Sequence, residues 1–319
     1  DASSCYGIWY PTRMIFRYEY PGGVWIDLER PSVDEIQQIA QEFSINERIK
    51  AELISPTPTP LVAQDEHMAL LVLHFPAHEA EGGETKNQEI DFVVGSNFIV
   101  TVRYDIVVSL HHLKKILETQ KLVGDHEGIA TDVLLEILFA HLYTSTRDHT
   151  NHLASSLSHV ERDMFDGRER TTVRLISNIG REFLHLDSAL ADQEETLDCF
   201  LKMLAGRGFF GASFAERSER ILIERTQVMR LVGTHRAIAR ELRETNTALL
   251  GARQNEIMKT LTTITVLVLP LELIASVLVL HLPGTPLLDN PNAFSIVLAI
   301  MLGSVALTTI FFIRKRWIF

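Results

Sequence analysis

Glu272 places a carboxylate near the middle of an otherwise apolar run, VLVLPLELIASVLVLHL, from Val266 to Leu282. A carboxylate in that setting can attract cations, move a proton or bond to a neighbouring helix. The segment from Thr260 to Leu282 carries one formal charge, and the segment from Phe294 to Ile313 carries none. Each has about the 20 residues that a bilayer-spanning helix needs. The sequence therefore predicts a hairpin of two membrane spans and disfavours a pair of buried helices in a soluble fold.

A polar seam runs along the first predicted span at the spacing of a heptad repeat. Steps of three and four residues connect Asn255, Met258, Thr262, Thr265, Leu269, Glu272 and Ser276. In a bundle of identical helices such a seam can face the shared axis, and a polar stripe inside a membrane is costly unless it lines water or pairs with other groups. We therefore expect a pore in which a ring of Glu272 carboxylates, only partly ionised because like charges repel, attracts cations. The alternative is a protonated Glu272 that bonds another helix.

Basic residues predict how the hairpin lies in the membrane. Lys259 precedes the first span and Arg314–Arg316 adjoin the second, whereas the connecting loop 283–293 contains no Lys or Arg. By the positive-inside rule both termini are cytoplasmic and the loop is outside. Asp289, the one charged residue of the loop, would attract cations to the outer mouth. We expect a multi-pass protein of the bacterial inner (plasma) membrane.

Composition and missing motifs exclude several other functions. The net charge of -11 argues against nucleic-acid binding, which needs a basic surface. Cys5 and Cys199 are too far apart in sequence for a metal-ligand motif and indicate free thiols. The sequence has no phosphate-binding loop, nucleophile elbow or zinc-protease motif, and no apolar signal segment at its start. We therefore expect neither an enzyme nor an ATP-driven pump.

Upstream of the spans, residues 1–124 have the pattern of one α+β or α/β cytoplasmic domain. The helix pattern SVDEIQQIAQEF begins with Ser32 as its predicted cap. The polar run from Ala77 to Asn87 predicts a hairpin loop, and Gly95 with Ser96 predicts a turn. Five runs have the composition of strands: RMIFRYEY, VWIDL, EHMALLVLHF, QEIDFVV and NFIVTVRY.

Residues 125–259 predict long antiparallel cytoplasmic helices, followed by the transmembrane hairpin over 260–319. One amphipathic helix covers 131–165, and a second runs from about Val173 to Ala205. A third begins near Phe214 and continues into the first span, so that it would have roughly 60 or more residues and a length of about 100 Å. Such a helix must pack on its neighbours or on copies of itself.

Three histidines of the first long helix share one face. His149, His152 and His159 are separated by three and seven residues. Such a set can bind a metal ion or sense pH, but no pairing with a carboxylate supports a metal site. A solvated helix face is the favoured interpretation, and the metal site is kept as an alternative.

Three stretches, spread along the chain from Trp25 to Ala275, resemble the CorA family of divalent-cation channels, so that the likeness extends over nearly the whole chain. QNEIMKTLTTITVLVLPLELIA, from Gln254 to Ala275, is similar to the family's Asn-Glu-Val-Met-Lys stretch and first span, with Pro270 at the position of the internal proline. WIDLERPSVDEIQQIAQEF and DFVVGSNFIVTVRY resemble two segments of the family's α/β domain. The resemblance implies a homopentameric funnel whose first spans line the pore, with the lipid bilayer, metal cations and further copies of the chain as its partners.

The chain departs from the family at two positions along the pore. The outer Gly-Met-Asn signature is replaced by Val279, Leu280 and His281, and Glu272 stands near a family threonine. Neutral imidazole suits Zn2+, Co2+ or Ni2+ better than Mg2+, which prefers oxygen ligands. The transported ion is therefore expected to be Mg2+ or a transition metal such as Zn2+, and the carboxylate is expected to compensate for the lost signature ring.

The rest of the implied pore carries over from the family residue by residue. Asn255 matches a polar ring at the cytoplasmic mouth, and the large apolar side chains of Met258, Leu261 and Leu269 match a gate that closes by dewetting. The full set of expected pore-lining residues is Asn255, Met258, Leu261, Thr262, Thr265, Leu269, Glu272, Ser276, Leu280 and His281. The resemblance also implies a divalent metal as regulatory ligand, at positions that the sequence does not identify. The alternative is a membrane-anchored scaffold or metal sensor that no longer transports.

Overall fold

The computed structural model describes residues 14–76, 87–123, 129–279 and 292–314. The chain divides into two compact units, one up to Arg243 and one from Glu244 onward. The predicted domain limits at 124 and 259 are not tested by this division and stay predictions. The two units are described in turn below.

Within the described residues, the N-terminal unit is built on one mixed sheet of six strands. The strands are β1 (Met14–Tyr20), β2 (Gly23–Glu29), β3 (Leu61–Gln64), β4 (Met68–Pro76), β5 (Asn87–Gly95) and β6 (Phe98–Arg103). Their order across the sheet is β1-β2-β6-β5-β4-β3. β2 and β6 pair in parallel, and all other neighbours are antiparallel.

The predicted strands are all present, and one further strand was missed. β3 has only four residues and lies at an edge of the sheet, so its sequence offers little alternation to detect. The predicted turn at Gly95 and Ser96 joins β5 to β6. The predicted hairpin loop lies outside the described residues except for Asn87, which pairs with Pro76 where β4 and β5 meet.

Two short helices cover one face of the sheet. These are α1 (Val33–Glu42) and α2 (Glu47–Glu52). Ser32 caps α1 as predicted: its hydroxyl accepts a hydrogen bond from the backbone N–H of Glu35, and the Glu35 side chain accepts one from the Ser32 backbone. The amphipathic face of α1 packs with the inward side chains of the strands in one hydrophobic core, which holds these helices on the sheet.

Longer helices follow, namely α3 (Val108–Val123), α4 (Thr131–Phe165), α5 (Glu169–Asp192) and α6 (Glu194–Gly206). α4 has the predicted limits, and Phe139 on it stacks on Phe92 of β5 with ring centroids 5.1 Å apart. Gly167, at the turn after α4, has φ of 88°, a conformation in which glycine is not strained.

The second predicted long helix is divided by the structure. Instead of one helix from Val173 to Ala205, α5 ends at Asp192 and α6 begins at Glu194. Gln193 between them is fully buried, donates a 2.7 Å hydrogen bond to the carbonyl oxygen of His74 and accepts one of 3.0 Å from the Tyr143 hydroxyl. These two long-range hydrogen bonds anchor the junction on β4 and α4. Helical periodicity in the sequence does not predict them.

The last two helices carry the predicted membrane spans. α7 runs from Phe214 to Val279 as one helix of 66 residues, and α8 runs from Ala293 to Arg314. Gly233 and Gly251 do not interrupt α7, as the sequence analysis allowed. Among the described residues, both helices are long and apolar enough to cross a membrane, and only 0% and 6% of their apolar windows are buried within the chain.

Ion pairs hold the first part of α7 in the N-terminal unit. The guanidinium of Arg217 bonds to Asp132 at 2.9 Å and to Glu136 at 3.0 Å, both on α4. The buried Arg225 donates to the carbonyl oxygen of Leu190 on α5 at 2.6 Å. α7 therefore starts on a polar, well-anchored surface formed by two neighbouring helices.

A buried network of charges fastens α3 to the sheet. Asp27 of β2 is fully buried, and its carboxylate accepts hydrogen bonds from the Thr101 hydroxyl at 2.6 Å and from Arg103 at 3.1 Å. The ammonium group of Lys114 on α3 pairs with the same carboxylate, and Arg103 also pairs with Glu29. Buried charges are tolerated when they are paired in this way, so the network couples two strands to one helix.

Replacing Asp27 by Asn should destabilise the N-terminal unit by about 3 kcal/mol, because Lys114 would then keep a buried charge without its carboxylate. Urea unfolding of the detergent-solubilised chain measures the change. Asp105→Asn is the matched control, since Asp105 pairs with Arg30 at 3.5 Å where both side chains are more than half exposed. Equal, small effects of the two substitutions would show that the network contributes little.

Candidate pore surface

The predicted pore seam lies on one exposed face of α7. Its seven residues, Asn255, Met258, Thr262, Thr265, Leu269, Glu272 and Ser276, are all exposed in the single chain. The two large apolar members are among the most exposed, Met258 at 54% and Leu269 at 59%. Leu261, which the resemblance adds to the set, is 56% exposed beside the seam. The seam is therefore a continuous surface that the rest of the chain does not cover.

The opposite face of α7 is partly covered. This shielded stripe consists of Lys259, Thr263, Leu267, Pro270, Leu271 and Ile274. At about 100° per residue the stripe and the seam point to nearly opposite sides of the helix. α8 has its own less exposed stripe, formed by Val297, Met301, Ser304, Val305, Thr308, Thr309 and Phe312. The seam is thus more exposed in the single chain than the opposite face of α7.

The seam threonines use their hydroxyl protons within the helix. The hydroxyl of Thr262 donates to the carbonyl oxygen of Met258 at 2.8 Å, and that of Thr265 donates to Leu261 at 2.9 Å. A hydroxyl has one proton and two lone pairs. Once the proton is engaged, the oxygen offers only acceptor lone pairs to anything that faces it. Sequence reasoning identified these threonines as polar but did not predict that they would present oxygen acceptors.

Glu272 is exposed on the seam, about one turn beyond Leu269. Within the described part of the chain, its carboxylate has no hydrogen-bond or ion-pair partner. A partner on α8 of the same chain is therefore not what holds Glu272 in place there. The carboxylate is therefore open to groups outside the described part of the chain.

The outer end of the predicted pore falls outside the description. Leu280, His281 and Asp289 lie beyond the described residues, and Val279 ends α7 with its side chain undescribed. The predictions for the replaced signature and for cation attraction by the loop therefore stay predictions.

The three histidines of α4 differ in exposure. The side chain of His149 is partly buried and both of its ring nitrogens are buried, whereas His152 and His159 are exposed. The predicted solvated face describes His152 and His159 but not His149. A ring nitrogen of His159 lies 2.7 Å from the Arg162 guanidinium. No group of three or more possible metal ligands comes together anywhere in the described residues. The metal-site alternative therefore has no assembled ligand set in that part of the chain.

Comparison with known proteins gives consistent matches over nearly the whole length. The family model described as CorA-like Mg2+ transporter protein matches residues 21–315. The cobalt/magnesium transport protein CorA of Methanocaldococcus jannaschii is 21% identical over 302 residues, covering 92% of this chain and 91% of that protein.

Two full-length solved structures share the fold. The CorA magnesium transporter from Methanocaldococcus jannaschii superposes with a TM-score of 0.78 at 20% identity, covering 94% of this chain and 93% of that one. The full-length CmaX protein gives a TM-score of 0.71 at 17% identity, with coverage of 93% and 90%. The likeness extends through the N-terminal sheet domain, the long helix and the C-terminal apolar helices.

Cysteine substitution at two adjacent threonines tests which face of α7 meets water. In a background with Cys5 and Cys199 replaced by Ser, Thr262→Cys on the seam should react with a cationic methanethiosulfonate at least about tenfold faster than Thr263→Cys on the shielded stripe, because only exposed thiolates react readily. Both native hydroxyls bond to the carbonyl four residues earlier, so the pair is matched. Mass spectrometry of the chain in proteoliposomes gives the rates, and equal rates would contradict a water-lined seam.

Proposed function

This chain belongs to the CorA-like Mg2+ transporter family, and on that premise we propose that it conducts a divalent metal cation through a pore lined by the seam of α7. Divalent-cation transport is the function of the family, and the two exposed apolar helices make the chain a membrane protein. The observation that carries the proposal for this chain is the polar seam, exposed along α7 opposite its shielded stripe.

The proposed pore needs several copies of the chain. One α7 offers a single convex surface, and a channel forms only where several such surfaces surround an axis. We propose the homopentamer that the family resemblance implies. Its chains would cross the inner (plasma) membrane twice with both termini in the cytoplasm, as the basic residues Lys259 and Arg314 at the ends of the spans favour.

Oxygen acceptors along the seam favour cations over anions. The hydroxyl oxygens of Thr262 and Thr265 offer lone pairs, and a ring of Glu272 side chains adds negative charge. The charge of such a ring attracts cations and rejects anions. Such oxygen ligands suit Mg2+ with its retained waters, whereas His281 at the outer mouth would favour Zn2+, Co2+ or Ni2+.

Large apolar side chains on the seam supply a gate. Met258, Leu261 and Leu269 are each more than half exposed on or beside the seam. Rings of such side chains close a narrow pore by excluding water. We propose that the gate is controlled from the N-terminal unit, with a divalent cation as the regulatory ligand, as in the family.

Replacing Glu272 by Gln should reduce metal uptake into proteoliposomes about tenfold, because loss of roughly 1.4 kcal/mol of attraction at the ring corresponds to that factor. Uptake of Mg2+, Zn2+, Co2+ and Ni2+ is compared, so that the preferred ion is identified in the same assay. Glu256→Gln serves as the control, since Glu256 is an exposed carboxylate of α7 away from the seam.

Size-exclusion chromatography should show the same oligomer for both variants and the unchanged chain. Uptake that survives Glu272→Gln would remove this carboxylate from the conduction path. If the unchanged chain takes up none of the four metals, transport itself is refuted and the scaffold alternative is restored.

Leu269→Ala should raise basal metal flux about tenfold under conditions that close the unchanged channel, because a smaller side chain lets water enter the gate and lowers the barrier by roughly 1.4 kcal/mol. Leu267→Ala removes the same atoms from the shielded stripe and should leave basal flux unchanged. Stopped-flow measurement with a fluorescent metal indicator compares the two. A leak in Leu267→Ala alone would place the gate elsewhere.

A further inference from the structure

A buried histidine–carboxylate pair lies in the sheet, remote from the pore seam in sequence and not identified by the sequence analysis. His74 of β4 and Glu89 of β5 are directly opposite in the strand ladder. Their side chains are only 14% and 6% exposed, and the His74 Nε2 lies 3.6 Å from the Glu89 carboxylate. Polar side chains rarely interrupt buried apolar strands without a partner or a role. We therefore expect this pair to have partners or a role of its own.

The pair is bound to the segment that follows α2. His74 Nε2 lies 2.9 Å from the carbonyl oxygen of Thr57, which can only accept, so this nitrogen carries a proton. The backbone N–H of Thr57 donates to both carboxylate oxygens of Glu89 at 2.8 Å. Thr57, which lies in a loop without charged residues, is thus bonded to both His74 and Glu89.

The main chain of His74 is also the anchor of the α5–α6 junction. Its carbonyl oxygen accepts the hydrogen bond from Gln193 described above. Its ring lines a cavity of about 670 Å³ together with Asp192, Glu194 and Glu195. The other ring nitrogen, Nδ1, is buried and has no hydrogen-bond partner among the described residues. His74 therefore stands between the Thr57 loop and an acidic helix junction.

The charged groups around His74 are almost all acidic. Glu89 and Asp91 lie on β5, Glu52 ends α2, and Asp192, Glu194 and Glu195 flank the junction. Arg225 is engaged with Glu194 at 3.1 Å. Burial raises the pKa of Asp91 well above its usual range, and the neighbouring Glu89 adds to that effect. A second proton on His74 places a positive charge directly beside the Glu89 carboxylate.

We propose that His74 is a proton-operated latch that holds the Thr57 loop and the acidic α5–α6 junction on the sheet. With a second proton, on Nδ1, the imidazolium attracts Glu89 and Asp192 and strengthens the Nε2 hydrogen bond to the Thr57 carbonyl oxygen, which keeps both segments in place. Without it, the carboxylates of the cavity wall lose their counter-charge, and repulsion among them loosens the junction around Gln193. The latch thereby makes the packing of the long helices sensitive to cytoplasmic-side pH if the chain is oriented as proposed.

The direction in which pH changes the stability of the latch follows from the raised pKa of His74. The hydrogen bond with Glu89 is the largest cause that raises the pKa of His74, burial acts against it, and the charges of Glu89 and Asp192 raise it further. A histidine whose pKa is higher in the folded state stabilises that state fully below its unfolded pKa of about 6.5 and loses the contribution as pH rises through the folded value. The latch is therefore closed in mild acid and opens as the solution becomes alkaline.

Hydrogen–deuterium exchange of the full-length chain in detergent tests the latch. After correction for the intrinsic pH dependence of exchange, peptides that cover Thr57 and the α5–α6 junction should exchange at least about threefold more slowly at pH 6.0 than at pH 8.5. His74→Gln should remove this difference. His152→Gln is the matched control, because His152 is exposed on α4, and should retain it.

A second variant keeps the test decisive if His74→Gln does not fold. Glu89→Gln leaves His74 in place but removes its counter-charge, so the change in exchange should move to lower pH. The proposal is overturned if exchange in these peptides of the unchanged chain does not depend on pH. It is also overturned if the pH dependence persists unaltered in both variants. Hydrogen–deuterium exchange does not depend on metal flux. The latch can therefore be refuted while the proposed transport is supported, and the transport can be refuted while the latch is supported.

Discussion

The need to remove apolar surface from water governs the C-terminal third of this protein. α7 and α8 leave the side chains of their apolar segments almost entirely exposed within one chain, and neither helix can shield the other beyond a single stripe. A bilayer covers such surfaces at no cost in backbone hydrogen bonding, because helices satisfy their own N–H and C=O groups. α7 is one continuous helix whose polar start forms ion pairs with the N-terminal unit and whose apolar end needs cover from water. The same helix therefore belongs to both parts of the chain.

Within the membrane segment, the faces of α7 differ in chemistry. The shielded stripe carries Leu267, Leu271 and Ile274, which are partly covered, whereas the seam exposes threonines, Glu272 and Ser276. A helix that served only as an anchor would have no reason to keep polar groups on its exposed side, since each is costly against lipid. The polar groups that alternate with Met258 and Leu269 along the seam are therefore what connects this structure with conduction, and the threonine hydroxyl geometry gives them the character of acceptors.

The N-terminal unit contains two buried polar clusters with different physical properties. Around Asp27, two cationic side chains and a hydroxyl complete the hydrogen bonding of a carboxylate. Around Glu89, the basic partner found among the described residues is a histidine, the side-chain type that can change charge near neutral pH. The first cluster is suited to rigid attachment of α3, and the second is suited to a structural response to pH. Buried polar groups are costly when their hydrogen bonding is incomplete, and the second cluster leaves His74 Nδ1 and one carboxylate oxygen of Asp91 without a partner among the described residues.

Local chemistry in the sequence determined most of the elements. The Ser32 capping box, the limits of α4 and the start of α7 at Phe214 depend on short-range hydrogen bonding and periodicity, and the structure has them where the pattern predicts. The run of polar residues on the seam was equally visible, because heptad spacing is a property of one helix. Only the tertiary structure decided the parallel pairing of β2 with β6, the junction at Gln193, the meeting of His74 with Glu89, and which face of α7 is covered. Each of these depends on contacts between residues far apart in the chain, and no local periodicity or propensity encodes them.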